Sequence, residues 1–288
     1  MGKQSHIRIG TRSSQLALWQ AKRVQALINQ HNASVATDII PIQTTGDVNL
    51  TQSISDIGGK GIFLKEIEQA LVNREIDIAV HSFKDITSIP NPNLTYSGFV
   101  LEESVTDAFI LFNGKQLTDE SLTIATGSLR RKALCKELYS NITCVDIRGN
   151  IQTRIKKAEA LGYDGLMLST AGLQRLEMDH LITHECDPTE FIPAPGQGLI
   201  AIQQRSGEHD IQSLVEAITD TQTNQLARHY YQLLEGVQFN CGIPFGAYID
   251  ESNHLKLFVE KDCGGKYFTV DLLKKEWLNL VVEKVIPI

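Results

Sequence analysis

The chain has 288 residues, of which 42% are hydrophobic, and its formal net charge is −7 at pH 7. This length predicts two or three domains, because a single hydrophobic core stops growing near roughly 250–300 residues. The negative charge disfavours nucleic acid and anionic membranes as partners, and the lack of a secretory leader or of ~18 consecutive apolar residues predicts a cytosolic protein with no membrane span.

Strand-like and helix-like segments alternate along the N-terminal third of the chain. Short β-branched runs predict strands at residues 6–11, 36–43, 77–81 and 94–100, and helical periodicity predicts helices at residues 14–30 and 62–74. This alternation is typical of an α/β unit with a largely parallel sheet.

A second α/β unit follows the first. Its predicted strands are residues 108–112, 123–125, 143–147 and 164–168, and predicted helices begin at Ser128 and Asn150. Residues 188–198 then hold three prolines and two glycines and precede the strand-like run LIAIQQ. We interpret this stretch as a crossover or hinge that returns to the first sheet.

The C-terminal part has a different pattern. Helical stretches at residues 211–219 and 222–236 precede the runs GAYID, LKLFVE and KYFTVDLL. Their alternation predicts a small antiparallel sheet, and hence a third domain with Cys241 at its entrance.

The cysteines are odd in number and widely spaced. They are Cys135, Cys144, Cys186, Cys241 and Cys263. Because no Cys-x-x-Cys pair is present, we expect neither a disulfide nor a cysteine-bound metal.

Arginines recur where predicted strands meet predicted helices. The residues at these junctions are Arg12 with Ser14, Ser128 with Arg130 and Arg131, Arg148 with Arg154, and, more weakly, Arg175. A helix N-terminus already carries partial positive charge, so a cation there costs ~0.3–1 kcal/mol unless an anion completes the site. Three such junctions favour a polyanionic ligand. The alternative is that these arginines point to solvent or pair with nearby acids.

The glycine-rich run DIGGKGIFLKEIE precedes a predicted helix, as a phosphate loop does. A P-loop requires Ser or Thr after Gly-Lys, whereas Lys60 is followed by Gly61. A mobile lid carrying Lys60 is the favoured interpretation of residues 44–61, and an ordinary loop is the alternative.

The run DIAVHSFKDITSIP places polar residues just past a predicted strand end, where ligands bind in open α/β sheets. Asp85 is the candidate catalytic carboxylate here. The alternative is a surface ion pair between Asp85 and Lys84, and a metal site at His81 is disfavoured because no second histidine accompanies it.

Taken in order, these stretches resemble the porphobilinogen deaminase family, also called hydroxymethylbilane synthase. The motifs are TRSSQLALWQA, TTGDV, GGKGIFLKEIE, DIAVHSFKD, GSLRRKAL, IRGNIQTR, STAGLQRL, PAPGQG and NCGIPFG. The resemblance implies two periplasmic-binding-protein-like α/β domains around a cleft and a small α+β C-terminal domain. The implied bounds are residues 1–101 with 196–218, 102–195, and 219–288.

The resemblance also implies an activity. Members of the family are transferases that join four porphobilinogen molecules head to tail, releasing ammonia, to give hydroxymethylbilane in haem biosynthesis. The implied cofactor is dipyrromethane, attached through a thioether to Cys241, and no metal or nucleotide is implied. We expect porphobilinogen as the small-molecule partner and a monomeric, cytoplasmic enzyme.

Motif positions assign the remaining roles. Asp85 is implied to be catalytic, because a carboxylate stabilises the azafulvene cation left by loss of ammonia and holds pyrrole N–H groups. Implied cofactor-binding residues are Cys241, Lys84, Asp85, Ser128, Arg130, Arg131 and Arg154. Implied substrate-binding residues are Arg12, Ser14, Lys60, Phe63, Arg148, Arg154 and Arg175.

The sequence departs from the family pattern at a few positions. Phe239 and Asn240 precede Cys241 where glycines are common, Gly127 stands where a serine is usual, and Asp56 occupies the place of a lid lysine. Two rival functions remain: a solute-binding protein of the periplasmic type, and a non-catalytic relative that binds tetrapyrrole precursors.

Overall fold

The computed structural model describes residues 6–48, 63–87, 91–101, 104–237, 243–261 and 264–285. The predicted lid residue Lys60 and the predicted anchor Cys241 lie outside the described residues, as do Asp56, Phe239 and Asn240. The chain forms two compact units: unit 1 spans Met1–Glu102 and Leu199–Tyr231, and unit 2 spans Glu103–Gly198 and Gln232–Ile288. The division into three domains stays a prediction.

Strands and helices alternate through most of the described chain. The strands are β1 (His6–Arg12), β2 (Ala36–Ile42), β3 (Ile78–Ser82), β4 (Leu94–Val100), β5 (Asp107–Leu111), β6 (Leu122–Ala125), β7 (Ile142–Val145), β8 (Gly165–Ser169), β9 (His184–Glu185), β10 (Ile200–Arg205), β11 (Phe245–Ile249), β12 (His254–Lys261) and β13 (Gly264–Asp271). The helices are α1 (Gln15–His31), α2 (Thr45–Val48), α3 (Lys65–Val72), α4 (Leu129–Leu138), α5 (Ile151–Ala160), α6 (Thr170–Gln174), α7 (His209–Ile218), α8 (Thr221–Val237) and α9 (Trp277–Val285).

Unit 1 is built on a sheet with the strand order β2-β1-β3-β10-β4. β1 pairs in parallel with β2 and β3, whereas β10 pairs antiparallel with both β3 and β4. Four of these five described strands therefore run in one direction, and β10 interrupts the largely parallel sheet that the sequence pattern predicts. The carboxyl ends of β1, β2 and β3 consequently share one edge of the sheet.

The core of unit 1 explains the local pattern of α1. Ala17, Ala21, Val24 and Ile28 recur at helical spacing and are buried, and the last three pack in one cluster with Ile9 and its neighbours on the sheet. Burial of such a side chain stabilises the fold by about 1.5–3 kcal/mol. This packing fixes the start of α1 next to the end of β1.

Unit 2 contains a second mixed sheet, ordered β7-β6-β8-β5-β9, and a three-stranded antiparallel sheet, β11-β12-β13. β6 is parallel to β7 and β8, whereas β5 is antiparallel to β8. Phe258 on the small sheet belongs to the same buried cluster as Phe109 and Phe191. The predicted class, α/β units with a small separate sheet, is confirmed, while the two-residue strand β9 and helix α9 were not predicted.

No helix among the described residues is both long enough and apolar enough to cross a membrane.

Candidate functional site

In unit 1, the predicted residues lie at the carboxyl edge of the sheet. Arg12 is the last residue of β1, and the Ser14 hydroxyl caps α1 by accepting a hydrogen bond from the Ala17 N–H at 3.3 Å. The helix N-terminus and a half-buried guanidinium therefore meet at one place, which suits an anionic group.

Arg12 is stacked on Phe63. Its guanidinium carbon lies 4.0 Å from the centroid of the Phe63 ring, within the range of a cation–π contact. The ring occupies the space above Gly46, where an added Cβ would lie 2.3 Å from Phe63 Cε1. A glycine at position 46 is therefore needed for this arrangement. The TTGDV motif contains this glycine, but the motif alone does not predict its contact with Phe63.

The short helix α2, which carries Gly46, is hydrogen-bonded to α3. Glu66 Oε1 accepts a hydrogen bond from the Thr45 backbone N–H at 3.0 Å and a second from the Thr45 hydroxyl. Burial alone raises the pKa of Glu66, but the hydrogen bonds from Thr45 outweigh this and lower it. Glu66 is thus a carboxylate at neutral pH, and its hydrogen bonds with Thr45 hold α2 beside Phe63.

Lys84 and Asp85 lie in a short 3₁₀ turn, Phe83–Asp85, between two buried anchors. Phe83 is fully buried, donates its backbone N–H to the Leu199 carbonyl at 2.9 Å, and packs against Phe99. Ile86 is also buried, whereas Lys84 and Asp85 are only half-buried. The burial of Phe83 and Ile86 therefore fixes the backbone of the turn that carries Lys84 and Asp85.

His81, at the penultimate position of β3, lies within a buried polar chain. Its Nε2 is 3.0 Å from Gln203 Oε1, and Gln203 Nε2 donates to Glu68 Oε1 at 2.8 Å. Because the Gln203 NH₂ group donates to Glu68, the Gln203 Oε1 atom is the one that faces His81 and accepts a hydrogen bond from it. The neutral His81 ring therefore carries its proton on Nε2. Burial lowers the pKa of His81 to about 4, and the charge of Asp85 opposes this only in part. His81 is therefore neutral at neutral pH.

No cluster of three or more His, Cys, Asp or Glu side chains in the described part of the chain could hold a metal ion.

In unit 2, the predicted arginines surround a buried carboxylate. Asp107 is fully buried, and its oxygens lie 2.6 Å from Arg130 Nη1 and 2.7 Å from Arg131 Nη2. The Ile192 carbonyl accepts from Arg130 at 2.9 Å and the Met167 carbonyl from Arg131 at 3.1 Å. The two guanidinium groups are thus fixed by the fold and retain a net charge of about +1 after pairing with one carboxylate.

Asp107 itself is held in the charged form. Burial raises the pKa of a carboxyl group, but the charges of Arg130 and Arg131 and their hydrogen bonds outweigh this and keep the pKa of Asp107 well below its usual range. Gln197 Nε2 also donates to Asp107 Oδ1 at 3.2 Å. The alternative that junction arginines pair with a nearby acid therefore applies at this junction. Asp107 is the first residue of the otherwise apolar run DAFIL. An acidic residue at this position is the sequence signal that could have indicated a buried partner for the arginines.

The other unit 2 residues lie at the same edge of the sheet, since β6, β7 and β8 are parallel. Ser128 caps α4 by accepting from the Arg131 N–H at 3.4 Å, and Asn150 caps α5 by accepting from the Thr153 N–H at 3.2 Å. Arg148 immediately precedes this second cap, and Arg154 lies in the first turn of α5. Two capped helices and their arginines therefore share one edge.

Arg175 follows β8 by way of the short helix α6. It is buried, and its Nη2 donates to the Gly198 carbonyl at 2.5 Å. This bond ties Arg175 to the end of the Pro- and Gly-rich segment.

Comparisons with known proteins give one consistent result. A family model described as "Porphobilinogen deaminase, dipyromethane cofactor binding domain" matches residues 7–213. Proteins named porphobilinogen deaminase are 37% identical over 246 residues in Acidithiobacillus ferrooxidans, covering 84% of this chain and 79% of that protein, and 38% identical over 261 residues in Chlorobaculum parvum, covering 89% and 84%. A third, from Coxiella burnetii, is 36% identical over 259 residues, covering 90% and 84%.

Among solved structures, a TRAP periplasmic solute binding protein from Desulfovibrio salexigens is 12% identical, with a TM-score of 0.45, and the match covers 80% of this chain and 77% of that one. This score is too low to assign a fold.

Proposed function

The chain belongs to the porphobilinogen deaminase family, and we propose the residues with which it performs the family reaction. It is a transferase that joins four porphobilinogen molecules head to tail, releases ammonia, and forms hydroxymethylbilane in haem biosynthesis. The observation that carries the residue assignment is that, in each unit, cations and helix N-termini gather at the carboxyl edge of the sheet.

Substrate recognition follows from charge. Each porphobilinogen carries an acetate and a propionate, so a growing chain is a row of carboxylates that needs several fixed cations. We assign substrate binding to Arg12, Ser14, Lys60, Phe63, Arg148, Arg154 and Arg175, of which the four arginines and Lys60 supply the positive charge. The stacking of Arg12 on Phe63 supports this assignment, because it restricts the guanidinium before a carboxylate arrives.

The cofactor assignment rests on the cationic cluster of unit 2. The matched family domain is one that binds dipyrromethane, whose side chains are also carboxylates. A net positive pair of arginines beside the capped N-terminus of α4 fits such a group. We propose that Ser128, Arg130, Arg131, Arg154 and Lys84 hold its carboxylates and that Cys241 anchors it through a thioether. When bound, the cofactor supplies the pyrrole carbon to which the first substrate is joined.

Asp85 is proposed to act on the substrate. Loss of ammonia from porphobilinogen leaves a cationic azafulvene, and a nearby carboxylate stabilises that cation while accepting the pyrrole N–H. The buried anchors Phe83 and Ile86 support this role, because they fix the turn that presents the carboxylate. The cytoplasmic location and the monomeric state stay predictions.

The first experiment tests the anchor. Purified protein from cells that make haem is expected to have an intact mass above the sequence mass by two linked pyrrole units, and the adduct should map to the peptide containing Cys241. Cys241→Ser should lose the adduct, whereas the matched variant Cys186→Ser should keep it. An unmodified Cys241 in the native protein would contradict the anchor assignment.

A second experiment tests the substrate arginines. We expect Arg148→Leu to keep the cofactor adduct but to weaken substrate handling by roughly ten- to a hundredfold, because a charge-assisted contact is worth ~1.5–3 kcal/mol. The readout is kcat/KM for porphobilinogen. Lys156→Leu removes a charge from an exposed position of α5 and should change kcat/KM little. Equal rates for the two variants would remove Arg148 from the site.

A further inference from the structure

Two loops of the candidate site lie side by side in unit 2. Strands β6 and β7 pair in parallel, and the last pair in their register is Ala125 opposite Val145. The pairing continues past the strand ends, since the Thr126 N–H donates to the Val145 carbonyl at 2.8 Å. The loop from β6 to α4, residues 126–128, and the loop from β7 to α5, residues 146–150, therefore leave the sheet next to each other.

At Gly127 the backbone of the first loop touches the backbone of the second. A Cβ atom added to Gly127 would lie 2.9 Å from the Ile147 carbonyl oxygen, which is closer than a side-chain carbon and a backbone oxygen can approach. The backbone of Gly127 does not adopt the left-handed conformation that favours glycine, so the requirement at this position is for space. Any other residue here would push the two loops apart.

The peptide group that Gly127 touches is the one that leads into Arg148. The Ile147 carbonyl and the Arg148 N–H belong to the same planar group, so a shift of this oxygen also moves the backbone of Arg148. The next carbonyl, that of Arg148 itself, accepts a hydrogen bond from Lys157 Nζ at 3.4 Å. Gly127 thus contacts the peptide group before Arg148, and Lys157 holds the one after it.

The first loop has little freedom to give way. The Ser128 N–H donates to the Thr126 hydroxyl at 3.3 Å, the Thr126 side chain is buried, and Ser128 caps α4. The second loop follows an edge strand, and it is tied to α4 by a surface ion pair between Lys132 and Asp146. Because such pairs are weak, a side chain added at position 127 is expected to displace the second loop.

We propose that Gly127 is a positioning residue for the substrate: it sets the spacing between the starts of α4 and α5 and so places Arg148. This inference rests on the proposed function, in which Arg148 binds the incoming porphobilinogen while Arg130 and Arg131 hold the cofactor. Asp107 fixes these two arginines, so displacement of the second loop leaves them where they are. A wider spacing should therefore weaken substrate binding and leave the cofactor attached.

The test uses the cofactor-loaded full chain with the changes Gly127→Ala and Gly127→Ser. The probe is a porphobilinogen analogue with a methyl group in place of the aminomethyl group, which cannot release ammonia, and calorimetry gives its Kd. We expect both variants to keep the adduct mass and to bind the analogue roughly three- to tenfold more weakly, because a displaced charge-assisted contact is weakened rather than lost. The KM for porphobilinogen should rise by a similar factor, with little change in kcat.

A double-mutant cycle assigns the effect to Arg148. If Gly127 acts by placing Arg148, Gly127→Ala should weaken analogue binding little further in a protein that already carries Arg148→Leu. The matched background is Lys156→Leu, which removes an exposed charge from α5, and there the full effect of Gly127→Ala should remain. A general loss of stability would weaken binding equally in both backgrounds.

Several results would overturn the role of Gly127. They are wild-type affinity for the analogue in Gly127→Ala, tighter binding in Gly127→Ser, and an undiminished effect of Gly127→Ala beside Arg148→Leu. A Gly127→Ala protein that does not fold would also overturn it, because the glycine would then serve folding rather than spacing. A wild-type protein that forms no hydroxymethylbilane contradicts the proposed function instead, and the analogue measurements do not depend on that turnover.

Discussion

Asp107→Ala is expected to destabilise unit 2 by about 3–5 kcal/mol, because removing one partner of a buried ion pair leaves uncompensated buried charge. Two guanidinium groups share this carboxylate, at 2.6 and 2.7 Å, and Asp107 has no exposed surface. Arg130 and Arg131 are themselves about 5% exposed, so water cannot replace the lost oxygens. The change should also reduce the fraction of protein carrying the cofactor, since both arginines lose their fixed positions.

Urea unfolding of each variant is monitored with a probe in unit 2. The intact mass of each variant is measured as well. Asp146→Ala is the matched control: Asp146 pairs with Lys132 at 2.8 Å but is 74% exposed, and such surface pairs contribute only ~0–1 kcal/mol. Equal unfolding midpoints for the two variants would show that the buried Arg130 and Arg131 do not need the Asp107 carboxylate to compensate their charge.

The same carboxylate predicts a pH dependence. Its pKa is lower in the folded protein than in the unfolded chain, where it is about 3.9, so the folded state binds fewer protons. The stabilisation from the Asp107 carboxylate is therefore fully present when the pH is above its pKa in the unfolded chain. It is lost as the pH falls through its lower pKa in the folded protein. Wild-type protein should lose stability in this acidic range more steeply than Asp107→Asn, which cannot titrate there.

Features that depend on neighbours in sequence were predictable. Ser128 and Asn150 were predicted at the starts of helices, and each accepts the backbone hydrogen bond of a helix cap, as Ser14 does at the start of α1. A cap needs only a side-chain oxygen two or three residues before the N–H that it binds, so local sequence determines it. The alternation of strands and helices is readable for the same reason.

Features that depend on distant residues were not predictable. Asp107 reaches the arginines because strand pairing places it opposite Ser169, a register that no local pattern specifies. Gln203 reaches His81 only because β10 lies beside β3, although the two residues are 122 positions apart. Phe63, which precedes α3, packs closely against Gly46 in α2, although the two residues are distant in sequence. The motif resemblance predicts roles for these residues, but it does not identify the distant partners that hold them in place.

The catalytic assignment is tested by Asp85→Asn, which should separate binding from chemistry. The amide keeps nearly the same shape and one acceptor oxygen, and Phe83 and Ile86 continue to anchor the turn, so folding and cofactor attachment are expected to survive. The variant loses the negative charge that we propose faces the azafulvene. Charge stabilisation of this kind is worth about 3–4 kcal/mol, so hydroxymethylbilane formation should fall about 10²–10³-fold.

The readout is uroporphyrin formed after chemical cyclisation and oxidation, measured on variants whose adduct mass is verified. Asp85→Glu should be less harmful than Asp85→Asn, because it keeps the charge at a displaced position. Asp38→Asn, at an exposed pair with His6 in the same unit, controls for the loss of one carboxylate and should leave the rate unchanged. If Asp85→Asn with its cofactor keeps more than about a tenth of the wild-type rate, less than ~1.4 kcal/mol has been lost, and the charge that stabilises the cation must come from another residue.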